Sequence, residues 1–320
     1  MAALDEHIAF SIFRLLIMVI SVTGNALSLF IILANKKMRQ KGTNLLFAQL
    51  AFADFVLGLG AGARGLSTIL FQHRPALHEK GLCLMLGSPT VFGVHLSQTT
   101  MIAIAFDRFL CVRFPVFYRH SVLILESERP LVSITLTYSL QECSSFLLPR
   151  CIACILYSCL GTAASYIGVS FGDKVTICST GTAITAWYST YWLVFATVLT
   201  VILYLAYITI YVLFRRQSAS AFGKSSTQRA VFGTVTALLV SYFVLWCAPN
   251  VLFVVFKYND FPAPFLGYIG VLTGVGGALS STTNVFIYGW KHPELKCQLK
   301  KMLGRLKVAK TTSNLVRSMS

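Results

Sequence analysis

Asp54 is an acid set in the middle of a long apolar run, Asn44 to Leu70, where an ionised carboxylate is costly and therefore marks a candidate functional site. Ser97, Ser280, Ser281, Asn284 and Asn25 are the polar groups that neighbouring apolar runs offer at comparable depth, and together they suit a buried hydrogen-bonded network. A charged pair, Asp107-Arg108, closes another apolar run. None of these suits covalent or hydrolytic chemistry. The chain has no HExxH, GxSxG or histidine cluster, and its six histidines are scattered. The chemistry on offer is reversible rearrangement of polar contacts, and an enzyme is not expected.

The elements that must hold these groups are membrane spans. With 56% hydrophobic and 12% charged residues and a mean hydropathy of +0.70, a soluble domain is excluded. Apolar runs fall at Ile12–Leu33, Asn44–Leu70, Cys83–Asp107, Cys151–Phe171, Trp187–Phe214, Ala230–Phe256 and Phe265–Trp290. Each is long enough to cross a hydrocarbon core of about 30 Å. The expected fold class is an all-α membrane protein, a bundle of seven transmembrane helices spanning residues 12–290. A short amphipathic helix follows, and an outer N-terminus (1–11) and an inner tail (291–320) flank the bundle.

Charge sets the orientation. With the N-terminus outside, only Arg14, Arg64, Arg74, Lys80, Lys174 and Lys257 of the 27 Lys and Arg fall in the outer half. That is the positive-inside pattern, and it accounts for the net charge of +16 without nucleic acid. The first run is too long for a cleaved leader and leads into a basic loop, so it reads as the first helix. No Asn-x-Ser/Thr acceptor and no internal repeat of the transporter kind occur. Most of the nine cysteines lie in or near spans or on the inner side, where a buried thiol is a small apolar group. Cys83 and Cys178 differ, because both face the oxidising side, and a disulfide between them would tether the second outer loop to the third helix as the lid of a pocket.

Along the chain stand Gly24-Asn25, Leu50-Ala-Phe-Ala-Asp54, Asp107-Arg108-Phe109 and Asn284-Val-Phe-Ile-Tyr288, in order and one per helix. These resemble the GN, LxxxD, DRY and NPxxY signatures of rhodopsin-like G-protein-coupled receptors, the last two in variant form. Phe114-Pro-Val-Phe-Tyr118 and Gly289-Trp-Lys-His292 further resemble the nematode serpentine chemoreceptors of class Srsx. The resemblance covers the chain apart from about Ser121 to Pro149. It implies a plasma-membrane receptor, in some relatives of a sensory cilium, that detects a small external molecule and signals through a heterotrimeric G protein. A neuropeptide-type receptor of the same superfamily is the alternative, and a small-solute transporter the reading from another class.

The resemblance also assigns roles. Asp107, Arg108, Phe109, Pro249, Asn284 and Tyr288 would serve activation and coupling, and the network around Asp54 would hold a sodium ion, with no other cofactor or metal. The position twenty residues before Pro249, where many relatives carry an acid that latches the arginine, is Arg229, so that latch is absent. The toggle tryptophan of relatives falls in register on Cys247, which turns Trp246 about 100° round the helix, toward lipid. The aspartate of amine receptors is Thr90 and the lysine of opsins is Ala278, which disfavours an amine or retinal. By depth, Thr90, Phe92, His95, Trp187, Tyr188, Tyr191, Trp192 and Phe253 are the candidate pocket, an aromatic set suited to a small, largely apolar molecule.

Beyond the seventh span, Pro293 to Lys307 places Leu295, Leu299, Met302, Leu303 and Leu306 on one face and Lys296, Lys300, Lys301 and Lys307 mostly on the other. This predicts an interfacial helix lying on lipid, with Cys297 open to palmitoylation. Residues 121–149 form an atypical insert. Ser133 to Leu140 alternates polar and apolar with period two, and Gln141-Glu142 follow. A disordered inner insert is expected there, or a translated intron.

Overall fold

The computed structural model describes residues 8–71, 78–113, 135–175, 178, 180–219, 226–259, 261, 263–292, 294–302 and 304. Seven long helices account for most of them: α1 (Ile8–Ala34), α2 (Gly42–Phe71), α3 (Lys80–Arg113), α4 (Thr135–Ala164), α5 (Ala186–Ala219), α6 and α7 (Ala263–Lys291). The sixth, α6, runs as Ser226–Tyr242, a π-helical turn Phe243–Cys247, and Ala248–Tyr258. An eighth helical segment, α8, covers residues 294–302. The helices pack as a bundle around α3, whose neighbours include α2, α4 and α5, while α7 closes against α1, α2 and α6.

Small residues set the closest approaches, as helix association in lipid requires. Gly58, Gly62 and Gly65 line the face of α2 on which α1 lies: a Cβ at these positions would meet Ser21, Met18 and the Ser11 carbonyl oxygen respectively, at 3.0 Å or less. Gly24 of α1 receives Val285 of α7, and Gly93 of α3 receives Leu57 of α2. Outward faces keep Leu16, Phe30, Leu66, Leu160, Leu205 and Phe286 exposed, as a lipid solvent favours. Among the described residues, four helical stretches, Ile8–Ala34, Gly42–Leu70, Ala186–Leu213 and Gly233–Phe256, are both long and apolar enough to cross a membrane on composition alone. Helix α3 is more polar because it turns His95, Ser97, Gln98, Thr100 and Asp107 into the bundle instead of toward lipid.

The expected spans coincide with these helices apart from two corrections. Helix α4 starts at Thr135, far ahead of Cys151, and ends at Ala164, short of Phe171. Residues 135–149, expected to be disordered with a strand-like half, are therefore helical, with Pro149 inside the helix; residues 121–134 lie outside the described residues. A period-two pattern with no sheet to join leaves its backbone groups unpaired, whereas extending an already nucleated helix pairs them within the segment. The second correction is in α6, where a kink at Pro249 was expected and a π turn, Phe243–Cys247, precedes that proline.

At the end that carries the disulfide, a two-stranded antiparallel ribbon pairs β1 (His78–Glu79) with β2 (Lys174–Val175). Cys83 at the start of α3 is bonded to Cys178, Cα to Cα 5.1 Å, and Leu84, Val169 and Ala183 pack around them as a small second core. At the opposite end, a single turn Lys36–Arg39 joins α1 to α2, capped by the Asn35 side chain, which accepts from the Lys37 N–H. Leu295 of α8 is buried against the main core, Leu299 and Met302 pack beside it, and Lys296, Cys297, Lys300 and Lys301 are exposed. Leu303, Leu306 and Lys307 lie outside the described residues.

Candidate functional site

Midway down the bundle, α1, α2 and α7 bring Asn25, Asp54, Ser281 and Asn284 into one buried network. Asn284 Nδ2 donates to Asp54 Oδ2 at 2.8 Å, and Asn25 Nδ2 donates to the Ser281 carbonyl oxygen at 3.3 Å. Ser21, absent from the sequence expectation, is the hub: its hydroxyl donates to the Asp54 carbonyl oxygen, shares a 3.0 Å hydrogen bond with the Ser281 hydroxyl, and lies 3.2 Å from Asn25 Nδ2. It is four residues before Asn25, one turn along the same face, a spacing from which it could have been read. Ser97 and Ser280 are buried nearby but make no hydrogen bond to this network among the described residues. The side-chain oxygens Oδ1 of Asn25 and Asn284 are buried without a partner. Amide and carboxylate oxygens of this type are among the ligands that hard cations take.

At the end of α3 the Asp107 carboxylate accepts from Arg108 Nε at 3.0 Å and from Arg108 Nη2. Thr43, at the start of α2, ties the pair down: its hydroxyl accepts from Arg108 Nη2 and reaches Asp107 at 3.4 Å. Both charged residues are nearly fully buried, and the pair is held by its own contacts and by Thr43. The side chain of Arg229 lies outside the described residues. Phe109 packs on the core, and Tyr288 is buried with its ring edge-on to Phe47, 6.0 Å between centroids.

Between the network and the disulfide lies a cavity of about 290 Å³. Of the expected pocket residues, Thr90, Tyr188, Trp192 and Phe253 line it, and Phe92, His95, Trp187 and Tyr191 do not. On α5 the wall takes 188, 189, 192 and 193, one stripe at helical spacing, so Tyr191 turns away and meets Tyr157, hydroxyl to hydroxyl, at 2.6 Å. Trp187 is about half exposed and donates its indole N–H to the Ile167 carbonyl oxygen. His95 is fully buried among Tyr157, Trp192 and Phe195, with Nε2 3.1 Å from the Tyr188 hydroxyl, which donates to the Gly161 carbonyl oxygen. That contact fixes Tyr188 in the wall.

Trp246 lines the cavity and is buried, contrary to the lipid-facing position expected of it. The π turn explains the difference. One residue more per turn advances everything on one side of it by about 100° relative to an uninterrupted α-helix, which is the angle by which Trp246 seemed misplaced. The same turn pushes the Leu245 carbonyl oxygen toward α7, where a Cβ on Gly276 would lie 1.8 Å from it, and the Trp246 ring settles on Gly277. Cys247 is buried on the side of α5, 3.4 Å from the Thr200 hydroxyl. The sequence expectation also missed Arg14, Arg64, Ser189, Asn250 and Thr273 in the wall. Two charges inside apolar helices were signal enough for the arginines, but they were read as topology markers.

The lid over this cavity is the segment after Cys178. A single helical turn, Thr180–Ala183, places Thr180 and Gly181 in the wall, and the Thr180 side chain abuts Gly87 of α3. The 7 transmembrane receptor (rhodopsin family) model matches residues 24–288, which include the network apart from Ser21, the Asp107-Arg108 pair and most of the cavity wall. A putative neuropeptide Y receptor 11 from Caenorhabditis elegans is 30% identical over 101 residues, 32% of this chain and 24% of that receptor. Neuropeptide FF receptor 1 from Rattus norvegicus is 33% identical over 100 residues, 31% of this chain and 22% of its own. The matched stretch therefore spans about a quarter of either relative. The family model, by contrast, covers most of the chain, and it agrees with the seven-helix bundle and its buried polar centre: the chain belongs to the rhodopsin family of seven-transmembrane receptors.

Proposed function

We propose that this receptor responds to a neuropeptide-type ligand and signals through a heterotrimeric G protein, with its N-terminus and the disulfide-tethered lid outside the cell. The observation that carries the ligand class is the similarity to two receptors named for neuropeptides. It favours the peptide alternative over the chemosensory Srsx reading. The cavity agrees with this. At about 290 Å³ it is at the low end for a ligand site and holds one residue of a peptide, with the rest on the lid.

In this reading the ligand presses on Trp246, the outer part of α6 moves against Gly276 and Gly277, and Arg108 is released from Asp107 and Thr43 to meet the G protein. The donor set around Asp54 is the place for a sodium ion that would hold the resting arrangement. Palmitoylation of Cys297 would fasten α8 to lipid. The test is a G-protein activation assay in cells displaying the full chain with an N-terminal epitope, challenged with a panel of synthetic neuropeptides. A peptide should activate the wild type and fail on Arg108→Ala, with the epitope equally accessible on intact cells. A variant that signals normally removes Arg108 from its role, and activation by non-peptide odorants with none by peptides returns the ligand to the chemosensory class.

A further inference from the structure

The Lys36–Arg39 turn and α8 form a positive surface at the end of the bundle opposite the disulfide. Four of the six residues 36–41 are basic, and eight more Lys and Arg follow Trp290 with Glu294 as the one acid among them. That acid is already engaged, because Glu294 accepts from Lys41 Nζ and from Asn44 Nδ2 and so ties the start of α8 to the start of α2. Among the described residues, the exposed side chains of Lys36, Lys37, Lys296, Lys300 and Lys301 meet no carboxylate. Turn and helix are seated on one core, through Met38 and Leu295. On α8 the exposed positions 296, 297, 300, 301 and 304 make one stripe, away from Leu295, Leu299 and Met302. Phe30, Leu33 and Trp290, just before the two basic segments, are exposed, and Lys291 lies over the Trp290 ring at 4.4 Å. Tryptophan settles at the level of lipid headgroups, so the surface begins at the membrane boundary.

We propose that this surface binds anionic phospholipid headgroups of the inner leaflet, with Lys36 and Lys37 of the turn and Lys296, Lys300 and Lys301 of α8 as the residues that hold them. The inference goes beyond the peptide-receptor reading and rests only on its orientation, with the lid outside. Topology requires basic residues on inner loops but asks nothing of their arrangement. Here the lysines stand on one folded surface beside exposed apolar side chains. Lipid answers both features: its phosphates neutralise the lysines, and its chains cover Phe30, Leu33 and Trp290. An acidic soluble protein would meet the charge and leave those three side chains bare. An ammonium is a compact charge with three donors on a flexible stem, which suits phosphates presented at varied heights. Each lysine at such a surface strengthens anionic lipid binding about fivefold.

The test needs no agonist. The purified full chain is equilibrated in mixed micelles holding equal amounts of phosphatidylcholine and phosphatidylinositol bisphosphate, and the lipids it retains are counted by native mass spectrometry. The wild type should retain the anionic lipid in preference to the neutral one. Lys300→Gln should lower that preference about fivefold, and glutamine at Lys296, Lys300 and Lys301 together by more than tenfold. Arginine at the same three positions should preserve it, and so should Lys174→Gln, which removes one charge at the disulfide end. Unfolding midpoints in phosphatidylcholine alone separate a lost headgroup contact from a lost fold. The proposal is overturned by a wild type without preference, by a preference that survives the triple glutamine variant, or by equal losses from Lys300→Gln and Lys174→Gln, which would leave only the net charge of +16. Displacement of the lipid by an equal concentration of free inositol trisphosphate would also overturn it, by assigning the surface to a soluble anion. Micelles have no sidedness, so orientation is read separately from an N-terminal epitope on intact cells. A hidden epitope alongside lysine-dependent retention would reject the inner leaflet and leave the headgroup site standing.

Discussion

A methyl group on Gly276 would stand 1.8 Å from the Leu245 carbonyl oxygen, and that oxygen belongs to backbone that has no flexible end to swing aside. Gly276→Ala is therefore expected to force either the π turn or the α6–α7 contact to move, at a cost of about 1 to 3 kcal/mol. Thermal unfolding of the purified variant checks the loss of stability, and agonist potency in cells checks whether Trp246 keeps its place. Gly277→Ala is the control, since there the obstacle is the Trp246 ring at 2.9 Å, which can tilt. Unchanged stability and potency in Gly276→Ala would mean that the bulged carbonyl is not a fixed feature. At this scale the sequence was informative about identity and weak about facing. Asp54, Arg108, Asn284 and the cysteine pair were legible because each is a polar or reactive group whose burial demands a partner. His95 and Tyr191 were misjudged because an aromatic ring is equally at home in a wall and in the packing behind it, and a shift of one position along a helix decides which.

Among the elements, α8 carries the pH dependence. The His292 imidazole is pushed below its ordinary value of 6.5, chiefly by burial, and its Nδ1 accepts the Leu295 N–H at 3.3 Å, a cap that needs the neutral ring. Burial alone would raise the Glu294 carboxyl, but hydrogen bonds from Lys41 and Asn44 outweigh it and hold the group below the usual carboxylate range. Both groups have depressed values in the fold. Their contributions are thus complete above their unfolded values and are lost as pH falls, His292 first and Glu294 below it. Hydrogen-exchange protection in residues 294–302, taken relative to the intrinsic rate at each pH, should fall as pH drops from about 6.5. Glu294→Gln should abolish the more acidic part of that change alone, and a flat profile from neutral to acid would show that α8 is held by Leu295 and its apolar neighbours instead. The seven long helices were legible because runs of about 20 apolar residues have few alternatives. The π turn was not, because no residue type signals it, and the start of α4 was not, because a short alternating stretch is ambiguous until its surroundings decide.

For the whole molecule, the Cys83–Cys178 bond joins residues 95 apart in sequence and holds the β1–β2 ribbon and the Thr180 turn over the cavity. Either cysteine alone serves nothing. Cys83→Ser and Cys178→Ser should therefore fail alike, each lowering stability by about 2 to 5 kcal/mol and weakening ligand response, with the double variant no worse than the worse single. Surface display and unfolding midpoints of the three variants check this. A double variant clearly worse than either single would show that the two residues act independently. The succession of helices was thus readable from hydropathy, and the lid from two cysteines. The cavity's composition was not, because it depends on which faces of six helices converge.

The extra residue in α6 also bears on any transplant between this receptor and a relative whose sixth helix is uninterrupted. Counted from Pro249, residues before Phe243 are one place out of step with such a partner, so a side chain copied by number from below the turn arrives a third of a revolution away from its donor's heading. The latch position illustrates this: twenty residues before Pro249 is Arg229, and the place equivalent once the extra residue is allowed for is Gln228, neither of them an acid. A chimaera should therefore be spliced on the Tyr242 side of the turn, carrying Phe243 to Cys247 together with Gly276 and Gly277 as one cassette; a junction placed between Trp246 and Pro249 would exchange tryptophan and cysteine across the seam.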